Sequence, residues 1–252
     1  MEQNIIDAGV ENFNLPHDVI QLPSGGIFYK SKKKSIKVGY LTATDENFLM
    51  SSGQGSNDNI VMTLLRNKVY EHDLRPEELI DGDVEAILIF LRNSSFGPEY
   101  NITLTDPKTG KPFSHTEVLD ELNIKQTAVK PDENGLFTTT LPRTGVTVKL
   151  RPLTYSDTIE LSDIVDKYPV GRPAPIVTLR LMRQIVEVEG NNDKGYISTF
   201  ISTLPIMDSK YVRTFIKDNQ PSLDLIRIAK APSGELVSFE IAFGVEFFRV
   251  FF

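Results

Sequence analysis

The sequence of 252 residues contains no cysteine and only three histidines. Without cysteine the chain forms no disulfide bond, no catalytic thiolate and no zinc site built on sulfur, which fits a reducing compartment. His17, His72 and His115 lie far apart, and no two of them have a short metal-binding spacing such as HxxxH. We therefore expect no metal and no cofactor, and we expect each histidine to be a surface or loop residue.

The chain also lacks an excess of positive charge and a long apolar run. Its formal net charge is -7, whereas a general nucleic-acid binder is usually net basic. No run approaches the roughly 20 apolar residues of a membrane helix, and the polar start MEQNIIDAGVENFN does not resemble a secretory signal. We expect neither nucleic acid nor membrane as a partner and a cytosolic location at first. DNA binding through Lys30 and Lys32–Lys34 is kept as an alternative.

Catalytic sequence motifs are missing as well. The patterns GxSxG, GxxxxGK[ST], HExxH and GxGxxG do not occur. The carboxylate pair Asp81 and Asp83 precedes an apolar helical stripe, where acidic residues favour the helix N-terminal dipole. The pair Asp163 and Asp166 is typical of a solvated helix face. We predict no catalytic residue and no small-molecule substrate; an enzyme with a diffuse site built on Asp81, Asp83 and His72 is the alternative.

The hydrophobic periodicity changes along the chain and predicts an α+β fold. We expect an N-terminal β-hairpin plus helices, a central β-rich segment, a helical cluster and a C-terminal β-strand. Residues 1–18 are predicted to form an N-terminal arm, and residues 19–252 a single domain with an optional sub-boundary near 131–135, where the sequence KPDENG indicates a loop.

Four local patterns make specific predictions. Apolar residues spaced i, i+3, i+4, i+7 predict one helix from about Pro76 to Arg92. A second helix is predicted to begin at Pro175 and to carry Ile185 and Val186 on its apolar face. Asp208 is predicted to be the N-cap of a later helix. Strict alternation from Val237 to Phe247 predicts the final strand, with a bend or break at a glycine.

The last residues of the chain are unusually apolar. Fully burying one phenylalanine is worth roughly 1.5–3 kcal/mol, so such a terminus favours docking on its own core, in a partner groove or as an added strand. The basic run before the second predicted strand is interpreted as a solvated hairpin tip or as a contact with an acidic partner. The candidate partner-binding residues are Phe248, Arg249, Val250, Phe251, Phe252, Lys32, Lys33 and Lys34.

Several phrases together resemble one protein family. They are VIQLPSGGIFY, LRNSSFGPEYNI, FTTTLPRTGVTVKLRPLTYSD, PIMDSKYVRTFIKDNQPSLDL and FEIAFGVEFF. In their order and number they resemble the baseplate hub protein family of T-even-type contractile-tailed bacteriophages, from about Val19 to Phe248. Many members of that family carry a cysteine pair before the last strand, consistent with a small metal knuckle. Here the segment reads IAKAPSGELVSFEI, so no zinc role is carried over, and Ser233-Gly234 can turn a hairpin without a metal.

The resemblance implies a non-enzymatic structural or assembly component of a phage tail baseplate hub that acts through protein–protein interactions. Its partners would be other tail and baseplate hub proteins, and its location the virion tail baseplate or the host bacterial cytoplasm during assembly. The alternative that the resemblance leaves open is a tail-assembly chaperone for the tape-measure protein or another hub protein, absent from the mature virion.

Overall fold

The computed structural model describes residues 16–51, 57–125, 127–169, 171–243 and 245–248. The helices are α1 (Ala43–Ser51), α2 (Asn57–Lys68), α3 (Asp81–Phe96), α4 (Tyr155–Asp166), α5 (Ile176–Gln184), α6 (Lys194–Ser202), α7 (Ile206–Asn219) and α8 (Val245–Phe248). The strands are β1 (His17–Gln21), β2 (Ser35–Gly39), β3 (Glu99–Thr105), β4 (Pro112–Val118), β5 (Phe137–Thr140), β6 (Thr147–Leu150), β7 (Ile185–Val188), β8 (Ile226–Lys230) and β9 (Leu236–Glu240). The predicted α+β class and its layout are confirmed.

All strand pairs are antiparallel and form small sheets. The pairs β1–β2, β3–β4 and β8–β9 are two-stranded, and β5–β6–β7 is three-stranded. The hairpins follow local turn chemistry: the amide of Gly110 donates to the Asp106 carbonyl, and that of Gly234 donates to the Ala231 carbonyl. Both glycines have positive φ, a conformation in which other residues are strained. The turn predicted at Ser233-Gly234 is therefore confirmed.

Two hydrophobic cores hold the elements together. The first contains buried residues from β2, α1, α2, α3 and the C-terminal segment, and the second contains those of β5–β7 and of α5–α7. Phe28 packs against both, with its ring 5.8 Å from that of Phe137 between centroids. The loop that contains Gly135 packs closely on Ile27, since a Cβ on Gly135 would lie 2.9 Å from the Ile27 carbonyl oxygen. Lys32 Nζ donates a hydrogen bond to the same oxygen. The single-domain boundaries stay a prediction.

The sequence Asp81-Gly82-Asp83 at the start of α3 positions the loop LPSGG, residues 22–26, which follows β1. Asp83 is completely buried and accepts hydrogen bonds from the Ser24 amide at 2.9 Å, the Ser24 hydroxyl at 2.5 Å and the Tyr29 hydroxyl. Burial raises the pKa of Asp83, and burial together with the Asp83 carboxylate raises that of Tyr29. The Tyr29 oxygen accepts from the Ile80 amide, so one carboxylate anchors the LPSGG loop to the start of α3.

The helix predicted over Pro76–Arg92 is wrong at both ends. Pro76–Glu78 forms a separate 3-10 turn, and α3 begins at Asp81 and ends at Phe96, where Gly97 has φ 81°. Ile80 is extended and makes an isolated bridge with Thr154. This tertiary pairing interrupts the helical pattern, because an extended residue cannot continue a helix.

The helix predicted from Pro175 through Val186 is also too long. α5 ends at Gln184, and Ile185–Val188 is β7, whose Val188 pairs with Val148 of β6. β-branched residues suit a pleated surface, and an available neighbouring strand decides their conformation. The N-cap prediction for Asp208 is wrong: Pro205 holds that position, and the buried Asp208 carboxylate accepts from the Arg143 and Thr144 amides in the β5–β6 turn.

The final strand is shorter than its alternation indicates. β9 ends at Glu240, which pairs with Ile226, the first residue of β8. The Ile241 amide still donates to the Leu225 carbonyl, but the partner strand extends no further. The chain then forms α8, so the prediction that Phe247 belongs to a strand is wrong. The Phe247 side chain is nevertheless buried in the first core.

Candidate interaction surfaces

One face of the β8–β9 hairpin packs on the β3–β4 hairpin. Arg227 Nε donates to Glu117 Oε1 at 2.6 Å, and the rings of Phe239 and His115 meet edge to face, 5.5 Å apart between centroids. At the turn, the Ser233 hydroxyl donates to an Asp106 carboxylate oxygen at 2.8 Å. Because neighbouring side chains of a strand point to opposite faces, the alternate residues of both strands are left on the other side.

That other side, which we call the outer face, carries exposed aliphatic residues. Ile226, Ile228 and Leu236 have exposed fractions of 59%, 65% and 68%. Among the described strands, β8 and β9 pair only with each other, so each also has a free edge. A grouped set of exposed aliphatic side chains beside an open strand edge is typical of a surface that another chain covers.

A second feature is a cleft of about 750 Å³ between the two cores. α3 contributes one part of its lining, α5 and α7 another, and the segment from Gln220 to Ile226 a third. Gly82 allows this segment to approach α3, since a Cβ there would lie 2.2 Å from the Pro221 carbonyl oxygen. The lining contains carboxylates on the α3 side and cationic side chains on α5 and α7.

Glu85 lies on the α3 side of the cleft. Burial raises its pKa to about 8, with the nearby carboxylates of Asp81, Glu240 and Asp83 adding to the rise and a hydrogen bond from the Leu223 amide opposing it. Its Oε2 atom is buried and has no hydrogen-bond partner in the described part of the chain. Glu85 is therefore largely neutral at pH 7 and has unused hydrogen-bonding capacity.

The α5 and α7 side of the cleft is basic. Lys210, Arg213 and Lys217 are spaced i, i+3 and i+7 on α7, which places them along one helix face, and Arg180 joins them from α5. None of these four cations forms an ion pair with a described residue. At the end of α5, Gln184 is only 3% exposed, and its Oε1 atom has no described partner.

The sequence-predicted tail residues lie only partly within the described ranges. Phe248 is 2% exposed and packs on Phe247 with ring centroids 5.3 Å apart, so its side chain already belongs to the chain's own core. Arg249, Val250, Phe251 and Phe252 lie outside the described residues. The structure thus brings none of these tail residues to a described surface.

The predicted lysine run separates into three different environments. Lys32 Nζ donates to the carbonyls of Ile27 and Glu133. Lys33 forms ion pairs with Glu71 and Asp73, the latter at 2.7 Å. Lys34 is exposed. Two of the three side chains therefore have partners within the chain, although Lys32 is exposed as Lys34 is.

The carboxylates considered for chemistry are not brought together. Asp83 is buried in the loop contact already described, His72 is exposed, and Asp163 pairs with Lys167 at 3.3 Å on the helix surface. Across the described ranges, no group of three or more His, Cys, Asp or Glu residues could hold a metal ion. Within those ranges no helix has the length and apolarity to cross a membrane.

Arg92 and Glu85 are important residues that the sequence reasoning missed. Arg92 is 1% exposed and donates to the carbonyls of Gly97, Glu99 and Phe247, at 2.8, 2.8 and 3.1 Å. The available signal was their position: each is a charged residue at the border of the apolar stripe of α3. Such residues are rarely buried without a specific role.

These features define an α+β protein with an exposed aliphatic face on one hairpin and a charged cleft. A family model described as "T4 bacteriophage base plate protein" matches residues 25–228, and the chain belongs to that family. It is thus a T4-type phage baseplate protein, for which other tail proteins are the expected partners. No curated protein and no solved structure matches the chain.

Proposed function

We propose that the chain is a non-enzymatic structural or assembly component of the phage tail baseplate hub. The observation that carries this proposal is the outer face of β8–β9, considered together with membership of the baseplate family. In an isolated protein this face would place aliphatic side chains in water on both strands of one hairpin. In a baseplate it is available to a neighbouring subunit.

The energy that the outer face can supply is sufficient to matter in an assembly. Burying an exposed Ile or Leu side chain completely is worth roughly 1.5–3 kcal/mol. Since Ile226, Ile228 and Leu236 are already about one-third buried, covering them would contribute about 3–5 kcal/mol in total. This is several orders of magnitude in a binding constant once the fixed cost of association has been met.

The C-terminal residues Arg249–Phe252 and the exposed Lys34 remain proposed partner contacts. Phe248 would contribute to such a contact only indirectly, since its own side chain packs in the first core.

A direct test is to purify phage particles and to measure their protein content by mass spectrometry. We expect the chain in mature particles and its copurification with other hub proteins. Finding it only in assembly intermediates would favour a tail-assembly chaperone, for instance for the tape-measure protein, over a permanent subunit.

The role of the outer face is tested with the double variant Ile228→Ser, Leu236→Ser. We expect a folded protein with at least roughly 10-fold weaker copurification with its tail partners, because aliphatic contact area is lost. Val19→Ser is the matched control, since Val19 is 58% exposed on a different hairpin. Unchanged copurification of the double variant would contradict the interface.

A further inference from the structure

Two residues that line the cleft each carry a buried oxygen atom with no hydrogen-bond partner among the described residues. Glu85 Oε2 comes from α3 and Gln184 Oε1 from the C-terminal end of α5, and both residues line the same cavity. Buried acceptors without a partner are uncommon in folded proteins. Gln184 Oε1 is an acceptor, and Glu85 Oε2 becomes one when the carboxyl group ionises, so a cationic donor that drives this ionisation would satisfy both.

The surrounding charges favour a cationic donor at Glu85. The carboxylates of Asp81, Asp83 and Glu240 all act on Glu85 strongly enough to raise its pKa. Glu85 therefore lies among carboxylates on its side of the cleft. A cation that binds here would be stabilised by these carboxylates as well as by Glu85 itself, whereas a neutral donor would be stabilised by the hydrogen bond alone.

The opposite side of the cleft limits what such a cation can be attached to. Arg180, Lys210, Arg213 and Lys217 line the same cavity, and none of them forms an ion pair with another described residue. They would repel a polycation and attract carboxylates. The fitting occupant has one cationic side chain with acidic neighbours.

We propose that the cleft binds a segment of another baseplate protein through one arginine or lysine, which donates to Glu85 Oε2 and Gln184 Oε1 while acidic neighbours face the α5–α7 cations. A guanidinium suits the site because its five donors form a planar fork that can serve two acceptors. Ile226 lines the cleft and also belongs to the outer face, so one partner chain can cover both. Only the source of the segment rests on the proposed function; the chemistry of the cleft does not.

Binding of this kind should release a proton. In the free protein Glu85 is largely protonated at pH 7, since its pKa is about 8. An arginine beside it stabilises the carboxylate and lowers the pKa, so the proton leaves to solvent. Asp81, Asp83 and Glu240 oppose ionisation, while Lys125, Asp224 and the α5–α7 cations complete the charged groups around the cavity.

The probes are synthetic tripeptides, titrated into the full chain by isothermal calorimetry at pH 7. Acetyl-Asp-Arg-Asp-amide carries the proposed anchor, its citrulline analogue replaces the guanidinium with a neutral isostere, and acetyl-Lys-Arg-Lys-amide reverses the flanking charges. We expect the first peptide to bind roughly 10-fold or more tightly than either of the others, as a charged hydrogen bond implies. Titration in two buffers of different ionisation enthalpy should show proton release for the first peptide.

Glu85→Gln tests the named carboxyl group, because glutamine resembles the neutral acid and cannot ionise. This variant should abolish both the proton release and the preference for arginine over citrulline. Glu121→Gln, an exposed change on the Leu119–Glu121 turn, should leave both unchanged. The variant comparison reports on chemistry at one atom rather than on folding.

Several outcomes would overturn the proposal. They are no detectable binding of the arginine peptide, equal binding of the citrulline peptide, and an unaltered preference in Glu85→Gln. Spermidine or free arginine binding as tightly as acetyl-Asp-Arg-Asp-amide would replace the protein segment with a small cation. If the peptide binds but the chain is absent from phage particles, the permanent hub role is refuted, whereas the binding of a cationic side chain in the cleft is still supported.

Discussion

Replacing Glu85 by glutamine should change the pH dependence of stability in a predictable direction. The pKa of Glu85 is raised from 4.5 to about 8 in the folded protein, first by burial and then by neighbouring carboxylates. The folded state therefore binds this proton more tightly than the unfolded state does. Its contribution to stability is complete below pH 4.5 and is lost progressively as the pH rises to about 8 and beyond.

The magnitude follows from the same values. A difference of one unit between the folded and unfolded pKa corresponds to about 1.36 kcal/mol. The full rise therefore sets an upper bound of about 5 kcal/mol on the contribution of Glu85 to the free energy of unfolding. Water reaching the cleft would reduce this figure, and we expect a loss of about 2–4 kcal/mol in wild-type stability between pH 5 and pH 8. Glu85→Gln should be more stable than wild type at pH 8 and nearly equal to it at pH 5.

The assay is urea unfolding at pH 5, 6, 7 and 8, with the midpoint and slope fitted at each pH. Other titrating groups are common to both proteins and cancel in the difference. Asp45 and Asp157 have lowered pKa values, and their contributions are lost only at more acidic pH, so they do not enter this window. Glu121→Gln is the control. Parallel stability curves for wild type and Glu85→Gln from pH 5 to 8 would refute the reasoning.

Two further substitutions test packing. Arg92→Met removes the donor from the buried carbonyl of Phe247 and from the partly buried carbonyls of Gly97 and Glu99. It should reduce the free energy of unfolding by about 2–3 kcal/mol, measured by urea unfolding, and a loss below about 1 kcal/mol would contradict the role of Arg92. Gly82→Ala places a Cβ against the Pro221 carbonyl and should cost about 1–3 kcal/mol in the same assay. Gly195→Ala is the comparison variant: this helical glycine is exposed, and its Cβ would lie 3.2 Å from Asp193 Oδ1 at the end of a side chain rather than against backbone, so we expect a smaller loss than for Gly82→Ala.

Much of the fold follows from local sequence signals. The hairpin turns contain glycines that adopt positive φ, and the N-cap of α6 is Asp193, whose side chain accepts from the Tyr196 amide. These features involve residues close in sequence, so a pattern can identify them. The β7 strand is different, because Ile185 and Val186 also fit a helical stripe. Only the presence of β6 beside them selects the extended form.

The cleft could not be predicted in the same way. Glu85 and Gln184 come from different helices, and neither belongs to a motif. Their significance appears only when packing buries both and leaves an oxygen of each without a donor. The Asp208 carboxylate shows the same limit, because its partners lie in a distant hairpin turn rather than on its own helix.

Asp83 and Glu85 provide a final comparison, because both are carboxylates of α3 with pKa values raised by burial. Asp83 receives three hydrogen bonds from Ser24 and Tyr29, and it thereby fixes the loop before β2. Glu85 receives one from the Leu223 amide and keeps a buried oxygen unused. If Glu85 served packing alone, a glutamine or an aliphatic residue would do so without destabilising the protein above neutral pH. The raised pKa is common to both residues, and the unused oxygen is what distinguishes them. Asp83 therefore has a role in the fold that its hydrogen bonds explain, whereas the described contacts of Glu85 leave one buried oxygen without a partner.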